Sequence, residues 1–155
     1  MKERDAYMAE ALLEARNCLV TDDVPVGCVI VQNGRIIARG RNRREALFDA
    51  TAHAEVEALR AASAALGRWH LTDCTLFVTL EPCPMCAGAI LNARVGTVVF
   101  GARDEKAGAC GGLFDLFSER VPHRPRIYAG VLAEPCAALL QEFFQNKRHG
   151  LSHKS

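Results

Sequence analysis

Two short segments carry residues whose types and spacing could do chemistry: Thr51-Ala52-His53-Ala54-Glu55 and Leu80-Glu81-Pro82-Cys83-Pro84-Met85-Cys86. Each is expected to open a helix. Cys83 and Cys86 stand three apart, so both sulfurs fall on one face of a first helical turn, beside its unpaired N–H groups and the positive end of the helix dipole. That setting favours thiolates, and thiolates bind zinc. A Cys-x-x-Cys at a strand-to-helix junction also suits a redox dithiol, and taken alone it does not choose between the two. His53 tips the balance, because it adds a third ligand type at the start of a neighbouring helix, and a dithiol oxidoreductase needs no such partner. Two thiolates and one imidazole fill three positions of a tetrahedral zinc and leave the fourth open to water. A structural zinc would close that position. Cys18, Cys28, Cys74, Cys110 and Cys136 are isolated, however, and His70, His123, His149 and His153 have no cysteine at ligand spacing. The five cysteines read as buried inert thiols, and the four histidines as surface or phosphate-facing residues.

Glu55 has a different role. Two residues on a regular helix are about 200° apart, so Glu55 and His53 would diverge if both sat in mid-helix. The pair works together only if His53 lies in an irregular first turn, and Thr51 as N-cap would provide one. A carboxylate beside an activated water can take its proton and later deliver it to a substrate. Two thiolates weaken the acidity that zinc confers on that water, and Glu55 supplies the missing basicity.

The elements that must position these groups follow from periodicity and turn chemistry. Residues 4–18 read as an amphipathic helix, and Thr51 to Leu66 as a second one closed by Gly67. Val26–Val31 and Arg35–Arg39 form a hairpin about the Asn33-Gly34 turn. Further strands are expected at Thr75–Leu80, Thr97–Phe100 and Ile127–Ala129. Helices are expected at Cys83–Ala93, with its prolines confined to the first turn, and at Ala133–Arg148, with Leu139, Leu140, Phe143 and Phe144 on or near its buried side. Strands alternating with helices after an initial hairpin imply an α/β fold, a mixed sheet with helices on both faces.

The 155 residues, 50% hydrophobic and 24% charged, predict a single domain over 1–155. No apolar run approaches the roughly 18 residues of a membrane span, and seven scattered cysteines fit a reducing compartment, so a cytoplasmic protein is expected. The net charge of +1 does not by itself announce nucleic-acid binding. Charge is local instead: Arg41, Arg43 and Arg44 form one cluster, His123, Arg124 and Arg126 a second, and Lys147, Arg148 and Lys154 a third, each more simply read as a solvated face.

His-x-Glu followed about thirty residues later by Pro-Cys-x-x-Cys is the pattern of zinc-dependent nucleobase deaminases. The chain resembles one branch of that superfamily, the bacterial tRNA-specific adenosine deaminases, along nearly its whole length. The matching stretches include Val24-Pro25-Val26-Gly27, Gly40-Arg41-Asn42-Arg43, Thr79 to Ala89, Gly101-Ala102-Arg103-Asp104, and Cys136 to Leu140 leading into Phe143-Phe144. The resemblance implies a three-layer α-β-α cytidine-deaminase-like fold on a mixed five-stranded sheet. It implies one zinc per subunit on His53, Cys83 and Cys86, with Glu55 as proton shuttle. It places substrate against Asn42, Ala54, Asp104 and Phe144. The activity implied is hydrolytic conversion of adenosine to inosine at the wobble position of a tRNA anticodon stem-loop, by a homodimer. Ala50 departs from the proline common before Thr51, which predicts a looser loop into the site. The rival within the superfamily is a deaminase of a free base or nucleoside, of guanine or cytosine type. Outside it stand a non-catalytic zinc module that binds RNA and the dithiol oxidoreductase.

Overall fold

A computed structural model describes residues 2–150; His153 and Lys154 lie outside that range. Five strands form one sheet in the order β2-β1-β3-β4-β5. They are β1 (Gly27–Gln32), β2 (Arg35–Arg41), β3 (Cys74–Leu80), β4 (Thr97–Ala102) and β5 (Arg126–Tyr128). β1 runs antiparallel to both β2 and β3, whereas β3, β4 and β5 are mutually parallel. The sheet is therefore mixed, as expected. The β1–β2 connection is the Asn33-Gly34 turn, with φ of 51° and 75°, the left-handed pair that a two-residue hairpin demands.

Both faces of the sheet are covered, which explains why β1 and β3 are almost wholly buried. Side chains alternate between two cores. Cys28, Ile30, Leu76, Val78, Val98 and Phe100 pack with α3 (Ala54–Leu66) and α4 (Pro84–Asn92). Val29, Val31, Phe77 and Val99 pack with α1 (Glu3–Asn17) and, through Cys136, with α5 (Ala133–Arg148). A four-residue helix, α2 (Arg44–Leu47), follows β2. No described helix is long and apolar enough to cross a membrane.

α5 has the expected bounds, but its two phenylalanines part company. Phe143 is buried, and Phe144 is 44% exposed. Adjacent helical positions are about 100° apart, so a narrow apolar stripe takes only one of them. Thr51 does not cap α3 either. Its backbone N–H and its hydroxyl both donate to Asp49 Oδ1, at 2.8 and 2.7 Å, and the helix starts three residues later with His53 as N-cap. The same carboxylate ties down the loop that was expected to be loose for want of a proline at Ala50.

Candidate active site

The strand directions bring the predicted residues to one edge of the sheet. The start of β1, the ends of the parallel strands β3 and β4, and the end of β2 all meet there, the customary place for a ligand in an open α/β sheet. A cavity of about 180 Å³ opens at this edge, lined by Val24, Val26, Asn42, Arg44, His53, Ala54, Glu55, Leu80, Glu81, Cys83, Asp104 and Ala107.

His53 sits just outside α3, with extended backbone (φ −80°, ψ 154°), so its ring turns away from the direction a helical residue would take. This irregular step lets His53 and Glu55 face the same cavity. Gly40 of β2 sets the depth of the helix, because a Cβ there would lie 2.3 Å from the Ala54 carbonyl oxygen. Cys83 is likewise the N-cap of α4 and extended, Pro84 takes the first helical position where its missing N–H costs nothing, and Cys86 follows within the first turn.

His53 Nδ1 lies 3.6 Å from Cys83 Sγ and 3.5 Å from Cys86 Sγ. The three ligand atoms fall within 4.8 Å of one another, and they are the one such metal-competent cluster among the described residues. Ordinary Zn–S and Zn–N bonds at a tetrahedral angle place S and N about 3.6 Å apart, so the donor set fits zinc in both chemistry and spacing. The hydrogen bond from Cys86, together with His53, draws Cys83 down to about 4, and Cys86 as the donor is pushed up. The hydrogen bond to Cys83 raises His53. The other five thiols are buried, as expected. Burial drives Cys18, Cys74 and Cys136 to about 11, Cys110 to about 12, and Cys28 well upward.

Glu55 is buried on the floor of the cavity, and desolvation raises its carboxyl to about 7, the range in which a group both accepts and gives up a proton. Ala54 is fully buried at the start of α3. Asn42 is buried and held from both ends: its Nδ2 donates to the Val24 carbonyl at 3.1 Å, and its Oδ1 accepts from Arg44 N at 3.1 Å. Asp104 stands at the rim, where its Oδ1 accepts from Lys106 N and Ala107 N. Phe144 is not on this cavity. It borders two adjoining clefts, one shared with Asn42 and Arg44 and the other with Asp104 and Ala107. The basic clusters divide in the same way. Arg43 is paired with Glu57 at 2.8 Å and Lys147 with Asp22, whereas Arg44 faces the cavity. His123 bonds the Val95 carbonyl through Nε2 at 2.8 Å and so is tied to the backbone.

Two buried acids were not anticipated. Asp23 accepts from Glu45 N at 2.6 Å, from Ala46 N at 3.3 Å and from the Thr21 hydroxyl, and so holds the turn that carries Asn42 and Arg44. Glu81 does the same for the segment that carries Asp104.

Comparison with known proteins shows the family. Residues 2–148 match the MafB19-like deaminase family. A tRNA-specific adenosine deaminase of Bacillus subtilis is 47% identical over 149 residues, covering 96% of this chain and 92% of its own length. The chain belongs to the bacterial tRNA-specific adenosine deaminases. A tRNA(Ile)-lysidine synthase of Deinococcus deserti is 52% identical over 145 residues, and the chain spans only 27% of that longer protein. Among solved structures, one from work on A-to-I editing by tRNA:A34 deaminases at the wobble position of transfer RNA is 43% identical. It superposes with a TM-score of 0.82 over 87% of this chain and 99% of its own. A guanine deaminase from Bacillus subtilis is 35% identical, with a TM-score of 0.63 over 93% and 92% of the two chains.

Proposed function

We propose that this protein deaminates adenosine to inosine in tRNA, at the wobble position of the anticodon stem-loop, as a single zinc-dependent domain over 1–155 in a cytoplasmic homodimer. The observation that carries the reading is the meeting of His53, Cys83 and Cys86 with the buried Glu55 at the end of a cavity of about 180 Å³. That space is below the ~300 Å³ typical of drug-sized sites and suits one extruded base.

His53, Cys83 and Cys86 would hold zinc, which supplies the Lewis acidity that makes water nucleophilic near neutral pH. Glu55 takes the proton from the water attacking C6 of adenine and delivers it to N1 of the ring. It then moves the second proton to the amino group, which leaves as ammonia, so that adenosine and water give inosine and ammonia. Asn42 is fixed by its bonds to Val24 and Arg44, and it keeps one amide hydrogen and one lone pair for the base or ribose. The segment at Asp104 forms the facing wall. Phe144 and Arg44 on the adjoining clefts suit the unstacked nucleotides and phosphates of a loop.

The likeness to a guanine deaminase supports a second reading, deamination of a free base. The two separate in one assay. A stem-loop carrying adenosine at the wobble position is incubated with the protein beside free adenosine, guanine and cytosine, and the products are identified by mass spectrometry. Inosine in the RNA, with the free compounds untouched, is the expected result. Turnover of guanine or cytosine with no change in the RNA would overturn the proposal.

A further inference from the structure

The segment 103–115 between β4 and the 3-10 turn at Leu116–Ser118 contains neither helix nor strand, only an isolated bridge between Cys110 and Asp115. Its backbone N–H groups therefore lack a regular ladder, yet this segment supplies Asp104 and Ala107 to the cavity. Some bond within the segment or to Pro82, and Lys106 and Ala107 bond Asp104 Oδ1, but those of Asp104, Cys110 and Gly112 are satisfied by Glu81. The Glu81 side chain is fully buried, and every donor around it is an N–H. Oε1 accepts from Asp104 N at 3.0 Å, and Oε2 accepts from Cys110 N at 2.9 Å and Gly112 N at 2.8 Å. Arg103 lies 3.5 Å from Oε1 and also donates to the Cys110 carbonyl at 3.3 Å. The chain wraps so closely that a Cβ on Gly108 would lie 2.2 Å from Oε2. One on Gly112 would lie 2.1 Å from the Asp104 carbonyl oxygen and 2.7 Å from Oε1.

We infer that Glu81 is a positioning residue for deamination, a buried carboxylate that folds residues 103–112 into the wall against which the substrate base is held. This rests on the function proposed above. An isosteric amide cannot replace it, because its NH₂ would point a donor at donors. A wall released from Glu81 has to be ordered when RNA binds, so the cost falls on binding more than on the chemical step. Glu81 stands two residues before Cys83, so the end of one strand serves both the ligand set and the wall.

Glu81→Gln and Gly112→Ala test this from the two sides of the contact. Hydrogen exchange without RNA, zinc content, and kcat and KM on the stem-loop are measured for each. Both variants are expected to retain one zinc per chain and to lose about tenfold or more of the amide protection at 104, 110 and 112. Their kcat/KM should fall about tenfold, most of it through KM. Unchanged protection and KM in both variants would overturn the inference, and so would loss of zinc with the fall in kcat alone. If Glu81→Gln does not fold, Gly112→Ala decides by the same readings. If the wild type edits no RNA, the proposed function fails, and exchange still reports whether Glu81 orders the wall.

Discussion

The ligand cluster and the walls of the cavity are built on opposite plans. His53, Cys83 and Cys86 are displayed by two helix starts, each within a motif of a few residues, and their partners are one another. The walls carrying Asn42 and Asp104 are irregular chain, held from behind by Asp23 and Glu81, whose backbone partners lie 22 to 31 residues away in sequence. On the proposed function, chemistry is concentrated in side chains that meet at a point, and recognition falls to backbone draped over two buried carboxylates. Changes in the cluster should abolish turnover, and changes in the walls should mainly weaken binding.

The largest expected effect breaks the cluster. His53→Ala or Cys86→Ala, or dialysis of the wild type against a chelator, should remove zinc from the protein by elemental analysis. Inosine formation should fall by a factor of about 10² or more. Next comes Asn42→Ala, which removes the pocket amide and its two tethers. It should lower kcat/KM about tenfold to a hundredfold in steady-state kinetics while zinc stays bound. Asp23→Ala leaves the N–H groups of Glu45 and Ala46 without their acceptor, at a cost of about 2 kcal/mol, which for a chain of this size lowers Tm by roughly 4–8 °C in calorimetry. KM should rise with it if the turn it holds serves recognition. The smallest effect belongs to Phe144→Ala. The ring is 44% exposed, so Tm should barely move, and loss of one stacking surface should raise KM by about fivefold.

These differences also decide how much was legible in the sequence. The hairpin was legible because Asn33-Gly34 admits few other conformations, and α5 because its apolar spacing and bounds are unambiguous. The meeting of His53, Cys83 and Cys86 was legible because two short motifs, each opening a helix, carry all three. Thr51 misled because its N–H and hydroxyl are donated to Asp49, two residues earlier, while the helix takes His53 as its N-cap. Phe144 misled because composition does not say which of two adjacent phenylalanines fills a narrow stripe. Asp23 and Glu81 were illegible because a buried acid reaching distant backbone leaves no periodic trace. The Gly-Ala-Cys-Gly-Gly run at 108–112 was the only hint that chain would pass close to something.

The most direct test of the division between chemistry and recognition is Glu55→Ala assayed three ways: zinc content, binding of a wobble-adenosine stem-loop, and inosine formation. Retained zinc, RNA affinity within about threefold of wild type, and a fall in turnover by about 10²–10⁴ are the predicted results. Inosine formed at the wild-type rate would contradict the role of Glu55, and loss of RNA binding with intact zinc would contradict the separation of the cluster from the walls.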